Sequence, residues 1–452
     1  MKKILIILAF ISPLKASDLI IKTKLGEIQG QEKIAINSDK KYAAFTSVPY
    51  AQPPVGKLRF KDPVKATAWE GTLKATEKAP YCPQLGLDPQ KLTQNPDDFQ
   101  GQEDCLYLNI YKPLDTKGQK LPVMVWIHGG AYVKGHNSDL FGPDYFMAHS
   151  ENPVILVALN YRLGILGFMS LGDEVISGNM GLKDQTLALQ WVQEHIQDFG
   201  GDPEQVTIFG ESAGGGSVMA HVLSPWSSGL FSKAIIQSPS QGGLLDLRTL
   251  ITTQDPEYYA QQVLENLELE DDLEQLNSLQ ILDELQKVPV QDLVSRTGLF
   301  EKFMFTKNPW KPIVDKHASK PFIPDDPKVL VSDKQFNQVP IIIGGNQDEG
   351  NFYMLQFILN PNLFEEVHEK FDVFGPLLFL NVEEDEVHEQ DSATANLIKN
   401  EYLDGLHTNF TMDNWQRIAK IFSDIVWLVP IDIQTRLLVE QSDLPVYYYR
   451  YK

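Results

Sequence analysis

The chain has 452 residues, with 39 Lys and Arg against 60 Asp and Glu, for a formal net charge of −21. That balance argues against a nucleic-acid partner or an anionic membrane surface, and its plain meaning is solubility. The length exceeds one typical domain of ~100 to 200 residues but suits a single large α/β sheet with ample core material.

The N-terminus, MKKILIILAFISPLKAS, has Lys2 and Lys3, an apolar run from Ile4 to Ile11 and a small residue at Ala16. This is the pattern of a secretory signal peptide, expected over residues 1–16, which leaves 17–452 as the mature, secreted domain. The run is far shorter than the ~20 residues of a membrane span, and no later segment is long enough without charges. The two cysteines, Cys82 and Cys105, are expected to form one disulfide in an oxidising compartment, two buried thiols being the alternative. No histidine stands near either at ligand spacing, so no metal is expected, and no organic cofactor is implied. Asn409, in NFT, is an N-glycosylation sequon.

In chain order, DLIIKTKLGEIQGQ predicts a hairpin turning near Gly26, and the Pro-rich VPYAQPPVGKLRF predicts a loop. LPVMVWIHGG and PVILVALNYR read as strands buried on both faces. Leu182 to Phe199 has helical spacing, with Gly200 and Gly201 as the stop. VTIFG, from Val206 to Gly210, is a further buried strand, with a helix expected through Val218 and Met219. KAIIQSP and VPIIIGG add two strands, and the acidic, Leu-rich residues 255–296 predict helices that cap or flank the sheet. The alternation points to the α/β class, a largely parallel sheet with helices on both faces.

Within this frame, FGESAGGGSV places Ser212 between Gly210 and Gly214, after a strand and before a helix. G-x-S-x-G in that context is a nucleophile elbow, whose glycines permit the tight turn that exposes the serine. A serine hydroxyl is a weak nucleophile and needs a base, a group to orient the base, and donors for the oxyanion. Backbone N–H donors are expected from Ala213 and from the Gly129, Gly130, Ala131 loop in WIHGGAYVKG. His128 in that loop is read as fixing the loop rather than serving as the base. VPIIIGGNQDEG supplies two acids past a strand end, Asp348 and Glu349, either of which could orient a histidine.

At this point the residues resemble the type-B carboxylesterases, the family of the cholinesterases and insect juvenile-hormone esterases. FGGDPEQVTIFGESAGG (Phe199 to Gly215) is similar to the family's serine signature and EDCLYLNIYKP (Glu103 to Pro113) to its second signature. NYRLGILGF and GNMGLKDQTLALQWV look like further family blocks, and the similarity runs from about the mature N-terminus to the last residue. The resemblance implies an α/β-hydrolase fold, hydrolysis of a small-molecule ester through an acyl-serine, and a Cys82–Cys105 disulfide. It makes Ser212 the nucleophile, Glu349 rather than Asp348 the acid, and Gly130, Ala131 and Ala213 the oxyanion donors. Residues 83–104 contain no Trp where cholinesterases bind the choline cation. Glu211 stands where juvenile-hormone esterases usually carry Gln, so a general carboxylesterase of insect type is the expected kind.

The family's base is a histidine on a loop after the strand that follows the acid, here LPVYYYRYK, and no histidine follows His407. His368 and His388 sit in charged helical stretches expected to be exposed, and His407 precedes a helix expected from about Asp413; each is read as a surface residue, with His407 the least unsuited of the three to act as base. The aromatic strand VYYYRY would also lack a covering neighbour. The chain is therefore expected to be a truncated form of a longer esterase. The alternative is a catalytically silent secreted protein that binds a hydrophobic ester or a protein partner.

Overall fold

The computed structural model describes residues 19–88, 92–114, 116, 118–137, 142–149, 151–239, 256–267, 276–300, 308–380, 382, 387–403 and 409–452. Residues 1–16, where a signal peptide is expected, and His407 lie outside the described residues. The first strands are β1 (Ile20–Lys22), β2 (Glu27–Gln29), β3 (Gln31–Ile34), β4 (Lys41–Pro49), β5 (Thr72–Lys74), β6 (Gln84–Leu87) and β7 (Gln94–Gln100). Then come β8 (Tyr107–Pro113), β9 (Leu121–Ile127), β10 (Ile155–Leu159), β11 (Gly201–Glu211), β12 (Lys233–Gln237), β13 (Ile341–Asn346) and β14 (Val446–Tyr451).

One nine-stranded sheet runs in the order β14-β13-β12-β11-β9-β10-β8-β4-β3. Its first six strands are mutually parallel, and the β8, β4 and β3 end is antiparallel. Two separate apolar cores show that both faces are covered. Val123, Val125 and Ile127 of β9 point into the larger core, while Trp126 joins Leu156, Ala158 and Met147 in the smaller one. Side chains that alternate between two apolar layers are what the unbroken LPVMVWI and ILVAL runs require.

The hairpin near Gly26 is present, with Ile20 opposite Gln29 and the Thr23 and Gly26 backbones bonded across the turn. The Pro-rich stretch is not all loop: β4 runs through Val48 and Pro49, which pair with Leu108 and Tyr107. Pro49 is tolerated because it ends the strand, where a missing ladder donor costs least. The long helix spans Met180–His195, with a 3₁₀ turn at Ile196–Phe199, and Gly200 at φ 88° closes it. Helices at Pro256–Asn266, Ser278–Leu285 and Val290–Ser295 occupy the acidic stretch. Inside, Arg162 grips Asp184 by two side-chain bonds of 2.7 and 2.8 Å, tying the turn after β10 to the long helix.

VYYYRY forms β14, parallel to β13 with Ile342 opposite Tyr447 and Gly344 opposite Tyr449. Among the described residues it is the edge of the sheet, and Tyr447, Tyr448 and Tyr451 are exposed. No helix among the described residues is long and apolar enough to cross a membrane.

Candidate active site

β11 ends at Glu211, the chain reverses at Ser212, and the helix Ala213–Leu223 begins at once. Ser212 has φ 58° and ψ −124°, a strained conformation for a residue with a Cβ, which persists only where its surroundings fix it. Its N–H donates to Gln237 O at 3.0 Å, and its carbonyl accepts from Gly216 N–H at 2.9 Å. The flanking glycines are required for contact distance rather than for φ. A Cβ on Gly210 would lie 2.5 Å from the Gly214 backbone, and one on Gly214 would lie 2.1 Å from Ile127 O.

The loop after β9 lies against this elbow, and a Cβ on Gly129 would sit 3.1 Å from that of Ser212. Gly130, Ala131 and Tyr132 follow with φ of 106°, 54° and 61°, and the N–H groups of Val133 and Lys134 close the turn onto Gly130 O. Asn308 donates its amide to Ala131 O at 2.6 Å. The N–H groups of Gly130, Ala131 and Ala213 enter no hydrogen bond among the described residues. Backbone N–H groups left without a partner beside a serine are what a developing oxyanion would need.

Glu349 stands three residues past β13, at the carboxyl end of the sheet. Its Oε1 accepts from Ser238 Oγ at 2.6 Å, Asn346 N–H at 2.7 Å and Asn346 Nδ2 at 3.1 Å. All three donors converge on one oxygen, so Oε2 is left to orient a further donor. Asp348 is exposed and has no such set of partners. Ser238 and Asn346 were not singled out from the sequence. KAIIQSP nonetheless ends in Ser238 and Pro239, just past the strand that pairs with VPIIIGG, which is the signal that could have found Ser238. Glu211 is half-buried, and burial first, then the negative charge of Glu349, push its carboxyl up to about 7. Burial and the same carboxylates raise Tyr449 on β14, so the last strand belongs to this neighbourhood.

The described histidines lie elsewhere. His128 donates Nδ1–H to Gly129 O at 2.8 Å and stacks on Tyr161, whose hydroxyl donates to His128 O; it fixes the loop, as expected. His221, on the helix after Ser212, uses one ring nitrogen on Ser227 and the other on Gln185, and burial pushes it down to about 3. His368 departs from its expected exposure, because the helix Asn362–Glu369 turns it half inward with Nδ1 shielded. His388 is exposed. Among the described residues no histidine is hydrogen-bonded to Ser212 or Glu349.

A cleft of about 460 Å³ opens beside the elbow, lined by His128, Gly129, Gly130 and Glu211 on one side and by Leu85, Leu87 and Asp98 on the other. Its far wall is the β6–β7 hairpin, inside the loop that the Cys82–Cys105 disulfide closes. Asn409 is exposed, and its carbonyl accepts from Asn414 Nδ2 at 2.7 Å.

The chain is similar to several known insect esterases. Venom carboxylesterase-6 of Apis mellifera is 36% identical over 436 residues, 96% of this chain and 75% of that protein. A carboxylic ester hydrolase of Bombus ignitus is 37% identical over 96% of this chain and 74% of its own length. Juvenile hormone esterase of Tribolium castaneum is 37% identical over 80% of this chain and 60% of its own. With residues 17–452 matching the model of the carboxylesterase family, the chain belongs to that family and its sheet is that of an α/β-hydrolase.

Proposed function

We propose that the protein is a secreted carboxylic ester hydrolase acting on small-molecule esters through an acyl-serine at Ser212. The observation that carries this reading is the strained elbow, which presents Ser212 beside a loop whose Gly130 and Ala131 N–H groups enter no hydrogen bond among the described residues. Attack of Ser212 Oγ on the ester carbonyl gives a tetrahedral oxyanion that Gly130, Ala131 and Ala213 stabilise; the alcohol leaves, and water releases the acid. Glu349, its Oε1 saturated, leaves Oε2 to orient the imidazole that this chemistry needs to take the serine proton, a group that none of the described histidines supplies by a bond to Ser212 or Glu349. The signal-like N-terminus and the disulfide support secretion, and the exposed sequon at Asn409 supports glycosylation.

A second reading rests on the histidine contacts. With no described imidazole bonded to Ser212 or Glu349, the chain would bind an ester and turn it over slowly, since a triad lacking one member keeps only ~10³ to 10⁴-fold acceleration over water. Hydrolysis of p-nitrophenyl acetate by wild type and Ser212→Ala separates the two. Turnover lost in the variant is expected, and equal slow rates in both would favour the silent reading.

A further inference from the structure

The oxyanion loop is held from one side by the residues around the disulfide, and the bonds fall on three consecutive positions. Gln84, buried at 5% exposure, donates Nε2 to Gly135 O at 3.0 Å and accepts Gly135 N–H on Oε1 at 2.9 Å. The same Nε2 donates to Cys82 O at 3.0 Å, anchoring the amide at the disulfide. Next along the loop, His136 Nε2 donates to Ala79 O at 2.8 Å. Asn137 N–H then donates to Asn160 Oδ1 at 2.8 Å, while Asn160 Nδ2 donates to Pro80 O and Cys105 O.

Gly135 has little slack of its own. Its φ is 133°, and a Cβ there would lie 2.2 Å from His128 Nδ1, so its backbone is pressed against the ring that starts the loop. Shifting Gly135 would therefore push on His128 and on the Gly130 turn that Lys134 N–H closes. A single buried amide satisfies both polar groups of Gly135, and losing it would leave a half-buried donor and acceptor without their partner together.

We infer that Gln84 is a positioning residue for the oxyanion hole, and that the neck of the disulfide loop sets the geometry of the Gly130 and Ala131 donors through Gln84, His136 and Asn160. This rests on the ester-hydrolase reading above. Gln84 lines the cleft but is bonded to Gly135 and Cys82 rather than to the elbow; it acts through Gly135 on donors whose placement matters most when charge develops, so its loss lowers kcat and leaves ground-state binding nearly unchanged.

The test compares wild type with Gln84→Met, which keeps the shape but removes the amide, and with Gln102→Met, an exposed residue of the same loop, as control. The readouts are kcat and KM for a p-nitrophenyl ester, and hydrogen exchange of peptides covering residues 128–137. The expected result for Gln84→Met is a fall in kcat of about 10- to 100-fold, a KM within about twofold of wild type, and faster exchange confined to that loop. Gln102→Met should match wild type in all three. A folded Gln84→Met with wild-type kcat and loop exchange would overturn the inference. If that variant does not fold, Gln84→Glu, which retains an acceptor for Gly135 N–H, takes its place with the same outcomes. Should wild type itself show no turnover, the hydrolase reading fails separately, and loop exchange alone decides whether Gln84 holds the loop.

Discussion

Ser238, at the end of β12, donates its hydroxyl to Oε1 of Glu349, beyond the end of β13, at 2.6 Å. Two adjacent parallel strands thus deliver an acid and the group that fixes it to the same edge of the sheet, where loops of α/β folds assemble their sites. With Oε1 also bonded to the Asn346 backbone and amide, the carboxylate has one committed oxygen and one available.

Glu349→Gln should lower kcat by about 10⁴-fold, as expected when the orienting carboxylate of a triad becomes an amide. Ser238→Ala removes one bond to a charged acceptor and should cost roughly 10- to 100-fold. Asp348→Asn should leave kcat within twofold of wild type, roughly the scatter expected for an exposed side chain. Steady-state kinetics of the three variants checks the assignment, and a large effect of Asp348→Asn would reverse it.

Glu211 should make the fold sensitive to pH. Folded, it keeps its proton to about pH 7, against 4.5 for an unperturbed glutamate. Between those values the folded state binds more protons than the unfolded chain, so stability falls as pH rises and the loss is complete above the folded value. Glu211→Gln should remove that slope and gain on the order of 2 kcal/mol over wild type above pH 7, after allowance for partial solvent access. Urea unfolding across this range is the check, and parallel profiles for the two proteins would refute it.

Gly130→Ala should damage turnover more than stability. The position has φ 106°, and the added Cβ would lie 2.1 Å from Lys134 O, so the turn must open. About 1 to 3 kcal/mol of stability and ~10² to 10³-fold in kcat should be lost, the latter the usual cost of one misplaced oxyanion donor. Gly118→Ala provides the control for backbone strain alone, since its φ is 73° and nothing lies within 4 Å of the new Cβ. It should lower stability and spare kcat.

How much of this was legible in the sequence follows from the range of the interactions. The elbow was readable because strand, Gly-x-Ser-x-Gly and helix are local, and the same holds for the buried runs that became β9 to β13. The role of the elbow glycines was readable only in part: Gly214 is needed because Ile127 O, from a strand nearly ninety positions earlier, approaches to 2.1 Å of where its Cβ would be. Ser238 and Gln84 were not singled out because each acts on a partner from another segment; Asn346 is only three residues from Glu349, but a polar residue at a strand end has many ordinary uses. Pro49 misled because a proline marks a loop unless it falls at a strand end. The family resemblance supplied the choice of Glu349 over Asp348, which residue type and spacing alone left undecided.

The disulfide offers a further check on stability. It closes a 23-residue loop, so the double variant Cys82→Ser and Cys105→Ser should lose about 3 kcal/mol in urea unfolding. Because the neck of that loop holds Gly135, kcat of the folded variant should fall as well.

The most direct measurement is intact-protein mass spectrometry after exposure to a fluorophosphonate, with Ser212→Ala alongside. An activated serine should give one phosphonyl adduct per chain, mapped to Ser212 and absent from the variant. Folded wild-type protein that stays unlabelled would mean that Ser212 is not activated in this chain, which contradicts hydrolysis and leaves ester binding without turnover.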